Sequence, residues 1–143
     1  MRALLALTLL LVSGCSGCAS IPHESLKAAS VRIEFDTGGI CSATSIAPYA
    51  LLSAAHCFKA DAGSFKVNGE DSAYVVLSND GKDHVLVRVT TRQETLASVG
   101  DSPRQGAVVW SYGNPIGIAD VLRFGRIAGI AKDGTLYVDA NQY

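Results

Sequence analysis

The chain has 143 residues, enough for one domain with its own hydrophobic core. It is 48% hydrophobic and 17% charged, which excludes a disordered chain, and its formal net charge of −1 gives no electrostatic reason to expect nucleic acid as a partner. Fourteen glycines and few long helical patterns point to an all-β architecture.

Arg2 is followed by an apolar run of ten residues, Ala3 to Val12. A membrane-spanning helix takes about 20 residues, so this run is too short to cross a bilayer. A charged start and a short apolar centre are the marks of a secretory signal. Its end, Val12-Ser13-Gly14-Cys15, looks like a bacterial lipobox, in which cleavage precedes the cysteine and the sulfur receives a diacylglyceryl group. Residues 1–14 are therefore expected to be a lipoprotein-type signal peptide, with Cys15 as the lipidation site and the chain exported to the cell envelope on a membrane anchor. Cys18 is a weaker alternative for that site; with Cys15 lipidated it is left without an obvious partner, as a free thiol or a link between chains. Residues 15–30 read as a tether containing Pro22 and a solvated His23, with a weak helical turn near Glu24 to Ala29.

Val31-Arg32-Ile33-Glu34-Phe35 alternates apolar and polar residues, the pattern of a half-buried strand. Ile40 to Ala47, Ala50 to Ser53, Ser64 to Val67, Ala73 to Ser78 and Val85 to Thr90 supply five more. Asp36-Thr37-Gly38-Gly39, Asn68-Gly69 and Asn79-Asp80-Gly81 carry turn chemistry between them. Six short strands with glycine-rich connections suit a small closed antiparallel barrel over residues 31–92. Residues 93–143 read as a polar linker around Pro103 followed by three strands, Ala107 to Gly113, Val121 to Ile130 and Thr135 to Ala140.

The most specific text lies in the first barrel. Ser53-Ala54-Ala55-His56-Cys57 follows a strand, and Cys41 stands 16 positions before Cys57 within Gly39-Ile40-Cys41-Ser42-Ala43-Thr44. This combination resembles the trypsin-like (chymotrypsin-fold) serine proteases, in which such a segment carries the catalytic histidine. The resemblance implies a double antiparallel β-barrel, His56 as general base, and a disulfide between Cys41 and Cys57, which an exported protein can keep oxidised. A neutral imidazole acting as base needs one ring nitrogen free and the other held as a donor to a carboxylate. The family places that aspartate at the start of an apolar strand, and Asp83-His84-Val85-Leu86-Val87 fits, which makes Asp83 the implied acid. The competitors Asp71 and Asp80 open no apolar strand and read as turn or surface residues. His84 stands where the family has an aliphatic residue and reads as structural or surface, or as a competing base in a shifted register. The spacing of 27 residues from His56 to Asp83 is short and suggests trimmed loops, as in bacterial and phage members.

In the second half, Gly113-Asn114-Pro115-Ile116-Gly117 resembles the Gly-Asn-Pro-Phe-Gly turn of the periplasmic Do-type proteases. The family's nucleophile motif, Gly-Asp/Asn-Ser-Gly-Gly, is absent; in relatives it follows the strand equivalent to Leu136 to Ala140. None of Ser42, Ser45, Ser53, Ser102 and Ser111 lies in a Gly-x-Ser-Gly turn. The resemblance therefore implies the amino-terminal part of a serine endopeptidase acting on polypeptides, with the first barrel complete, the second only partly encoded, and the serine expected beyond residue 143. The chain by itself is expected to be catalytically silent. The alternatives are a non-catalytic binding lipoprotein at the envelope or a defective fragment. No cofactor is implied. No metal site is expected, because Cys15-Ser16-Gly17-Cys18 stands alone, without a second pair or a histidine.

Overall fold

The computed structural model describes residues 23–113, 118 and 121–140. Alternation along the first expected strand becomes burial: in β1 (Ser30–Glu34), Val31 and Ile33 are fully buried while their neighbours are only partly so. β2 (Ile40–Ala47), β3 (Ala50–Ala54), β4 (Ala62–Val67), β5 (Glu70–Asn79) and β6 (His84–Val89) complete a closed antiparallel barrel in the order β1-β2-β3-β6-β5-β4. Pairing of Ile33 with Val67 joins β1 to β4 and closes it, so no strand of this sheet is left as an edge.

Local chemistry sets the hairpins. Asn68 and Gly69 have φ of 50° and 90°, and Val67 pairs with Glu70 around them. This is the left-handed pair that a two-residue hairpin turn requires. Register shifts occur in β2 between Ser45 and Ala47 and in β5 between Val76 and Ser78, where extra residues bend the strands around the barrel. β4 starts two residues before the expected Ser64, and β5 extends over ten residues, because both strands continue their pairing past the apolar positions that mark them in the sequence.

The barrel interior is filled by Val31, Ile33, Leu51, Phe65, Val67, Val85 and Val87. Phe65 stacks on Tyr74 with ring centroids 4.8 Å apart, and Phe58 meets both rings edge-on. Phe58 directly follows Cys57, so the turn bearing His56 is anchored in the core by an aromatic side chain.

The helical turn expected near Glu24 to Ala29 is present: α1 (His23–Ala29) runs into β1, and the buried Ala29 accepts a hydrogen bond from the Ser45 hydroxyl at 3.2 Å. The linker is laid along the barrel by main-chain bonds from Gln93 to Pro48 and from Ala97 to Ser45, both 2.8 Å. It leads to a three-stranded antiparallel sheet of β7 (Val108–Gly113), β8 (Val121–Ile130) and β9 (Leu136–Ala140), in that order. This partial second sheet meets the barrel at the end of β7, where the Ser30 hydroxyl donates to the Tyr112 carbonyl at 3.3 Å. A β-carbon on Gly113 would lie 3.1 Å from the Ser42 hydroxyl, so glycine permits the close approach of β7 to β2.

Truncating the stacked core ring tests this account. Phe65→Ala is expected to destabilise the barrel by about 3–5 kcal/mol, read as a lower midpoint in urea denaturation. A loss below about 1 kcal/mol would mean that the aromatic cluster does not hold the barrel.

Candidate active site

β3 ends at Ala54, and a single 3-10 turn, Ala55–Cys57, carries the chain across the mouth of the barrel. The turn is fixed from three sides. The Phe58 N–H donates to the Ala55 carbonyl at 3.0 Å, and the Ala55 N–H donates to the Asp83 carbonyl at 2.9 Å. The disulfide between Cys41 and Cys57, implied by the family resemblance, is present and ties the turn to β2. Closing so short a loop stabilises the fold by about 3 kcal/mol in the chain-entropy account.

β6 runs beside β3, with Ala54 opposite His84, and this places Asp83 against the turn. Asp83 Oδ1 accepts the main-chain N–H of His56 at 2.8 Å, and Nδ1 of the ring lies 2.8 Å from Oδ2 and 3.0 Å from Oδ1. An ionised carboxylate can only accept, so the proton of the neutral imidazole sits on Nδ1. Nε2 then keeps its lone pair, and among the described residues it has no hydrogen-bond partner. The main-chain N–H of His56, followed by its ring, holds the Asp83 carboxyl below the usual carboxylate range. The side chains of His56 and Asp83 are 71% and 53% exposed, so their alignment is set mainly by the main-chain bonds around them. A shallow depression of about 390 Å³ is lined by Asp83 together with Ser42, Leu52, Lys82, His84 and Tyr112.

The two competing aspartates have other roles. Asp71 pairs across the β4–β5 hairpin with Lys66 at 3.3 Å and is almost fully exposed. Asp80 is a turn residue, as expected, but it also binds His84, which the sequence reading missed. Asp80 Oδ1 accepts the N–H groups of Lys82 at 2.7 Å and His84 at 3.0 Å, and Oδ2 lies 2.7 Å from Nδ1 of His84. The available signal was a turn aspartate followed four positions later by histidine. These bonds, the Lys82 N–H first, lower the Asp80 carboxyl to about 2. Ser45 and Ser53 spend their hydroxyls on main-chain carbonyls, those of Ala29, Thr95 and Ser42. No described hydroxyl hydrogen-bonds to His56. Cys15, Cys18 and positions 114–117 of the Gly113 turn lie outside the described residues.

Comparison with solved structures identifies the architecture. The chain is similar to the serine endoprotease from Yersinia pestis, with a TM-score of 0.62 and 18% identity over 80% of this chain and 47% of that one. It is similar to Deg5, with a TM-score of 0.63 and 16% identity over 84% of this chain and 71% of that one. It is also similar to the inactive form of the Rv3671c protease, with a TM-score of 0.59 and 17% identity over 76% and 56% of the two chains. The fold is the trypsin-like one, with the first barrel closed and the second partial. The chain spans about half the length of the Yersinia pestis structure, 47%. No protein-family model matches it, and no curated protein matches by sequence. In this trypsin-like frame, His56, Asp83 and the disulfide lie together at one end of β3 and β6.

The aspartates also set a pH dependence. A carboxyl lowered in the folded state stabilises the fold above its unfolded value and loses that contribution as pH falls through its folded value. For Asp80 the window runs from 3.8 down to about 2. Carboxyl-detected NMR titration is expected to give Asp80 a midpoint near 2 and Asp83 one below the ordinary 3.8. The thermal midpoint of the wild type should fall through this window, and Asp80→Asn should flatten part of the fall. An Asp80 midpoint at the ordinary value would mean that its bonds do not persist in solution.

Proposed function

We propose that this chain carries the general-base side of a serine endopeptidase, with His56 as the base and Asp83 as the acid that orients it. The observation carrying the proposal is the set of bonds from one carboxylate to both the main chain and Nδ1 of His56, on a turn secured by the Cys41–Cys57 disulfide. The fold it shares with solved serine proteases supports the same reading.

In that role Nε2 of His56 takes the proton from a serine hydroxyl supplied by residues beyond 143 as that oxygen attacks a peptide carbonyl. Asp83 stabilises the imidazolium that forms and stays ionised. His56 then gives the proton to the departing amine, the peptide C–N bond breaks and an acyl-enzyme remains. A water, deprotonated by the same nitrogen, hydrolyses it. An imidazole and a carboxylate open to water supply little by themselves, because solvent screens their interaction. The nucleophile-bearing part must therefore also cover them.

The polypeptide substrate is expected on the outer side of a membrane to which Cys15 anchors the protein through its lipid. Metabolic labelling with a palmitate analogue should mark the protein and fail with Cys15→Ala; labelling that survives the substitution would remove the anchor from the proposal.

The enzymatic reading is tested on the protein expressed from its complete gene. A fluorophosphonate probe should label one serine, and casein hydrolysis should fall on the order of 10⁶-fold with His56→Ala and about 10⁴-fold with Asp83→Asn. The 143-residue chain alone should not label. Absence of labelling in any expressed form would leave a non-catalytic binding lipoprotein as the better account.

A further inference from the structure

The turn that delivers Asp83 has an unusual backbone. Asp83 has φ of +74°, in the left-handed region. There a β-carbon is crowded against the following carbonyl. Gly81, at +71°, escapes that crowding because it has no β-carbon, but Asp83 does not. A conformation of this kind persists only where neighbouring groups over-determine it.

The peptide group between Asp83 and His84 is held at both ends. Its carbonyl accepts the Ala55 N–H at 2.9 Å, and its N–H donates to Asp80 Oδ1 at 3.0 Å. The same oxygen accepts the Lys82 N–H at 2.7 Å, so one carboxylate brackets Asp83 from both sides. The Asp80 N–H donates in turn to the His84 carbonyl at 3.1 Å. His84 Nδ1, 2.7 Å from Oδ2, holds the Asp80 carboxylate in the rotamer that leaves Oδ1 facing the main chain. Rotating the 83–84 peptide would break the Asp80 cap and the Ala55 bond together, and would swing the Asp83 side chain away from His56.

We propose that Asp80 is a positioning residue for the His56–Asp83 pair: by capping the N–H groups on either side of Asp83 it holds that residue left-handed and aims its carboxylate at Nδ1 of His56. The inference rests on the reading of His56 as a base oriented by Asp83. Asp80 acts only through the backbone and touches neither His56 nor the reacting atoms.

The test reads the tautomer of each histidine from ring ¹⁵N shifts, correlated through the carbon-bound ring protons at a pH where both rings are neutral. In the wild type, His56 is expected as the Nδ1–H tautomer. Asp80→Ala should lose that signature and give the tautomer mixture of a free imidazole, while amide shifts of the barrel strands outside residues 79–84 stay in place. Asp80→Asn keeps an oxygen for the two N–H caps, so it should preserve the His56 signature. Its amide NH₂ faces Nδ1 of His84, so that ring alone should change to Nε2–H. Unchanged His56 shifts in Asp80→Ala, or equal damage from Asp80→Asn, would overturn the proposal. Asp83→Asn serves as the reference: if it too leaves His56 unchanged, the failure belongs to the role given to Asp83.

Discussion

The hydrogen bond from the Ala55 N–H to the Asp83 carbonyl joins the end of β3 to the start of β6. On the proposed reading, the chemistry depends on that junction. His56 follows Ala55 directly, and Asp83 contributes both its carbonyl to the junction and its carboxylate to the ring. The two strands are neighbours only because the barrel places β6 between β3 and β5, against chain order. Side chains alternate along a strand, so a slip of one residue in the Ala54–His84 register would turn the side chains of β6 to the opposite face and put Val85 and Val87 outside the core. Burial of those two valines therefore protects the register, and the register delivers the carboxylate.

Energetically, the core and the site divide the work. Exposed ion pairs contribute little net stability, and both members of the His56–Asp83 pair are more than half exposed. Attraction between imidazole and carboxylate cannot be what brings them together. The barrel interior supplies the stability, and the disulfide, Phe58 and the main-chain bonds convert it into a fixed geometry. The site is pre-organised by its supports, so a proton acceptor can stand at the surface without collapsing onto a different donor.

Much of this was legible in the sequence because the relevant signals are local. The alternation in Val31 to Phe35, the Asn68-Gly69 turn and the small residues around His56 each encode their own structure. The pairing of Cys41 with Cys57 and the choice of Asp83 came instead from a family resemblance, since spacing alone does not say which aspartate reaches a histidine. The helix over His23–Ala29, expected only as a weak turn near Glu24 to Ala29, is seven residues long and is held by packing and by Ser45. Two features escaped. The docking of the linker uses main-chain groups of Pro48 and Ser45 and the Ser45 hydroxyl on the Thr95 carbonyl, and nothing in the sequence marks these as partners. The Asp80–His84 contact depends on the turn geometry itself, and a spacing of four residues was its one trace in the sequence.

Two exposed surfaces share one physical explanation. On the partial second sheet, Val108 and Phe124 lie on one face and both stand more than two-fifths exposed. At the site, the oriented imidazole faces solvent. Apolar side chains of a sheet are stable partners for a second layer, and the hold of a carboxylate on an imidazolium strengthens when water is excluded. On the proposed reading, a single layer would satisfy both requirements. Strands that cover the second sheet would complete a barrel beside the first, and the serine they bring would sit over Nε2 of His56. On that reading, the first barrel aims the histidine–aspartate pair, the covering strands exclude water from it, and the weak net contribution of the exposed pair reflects this division of labour.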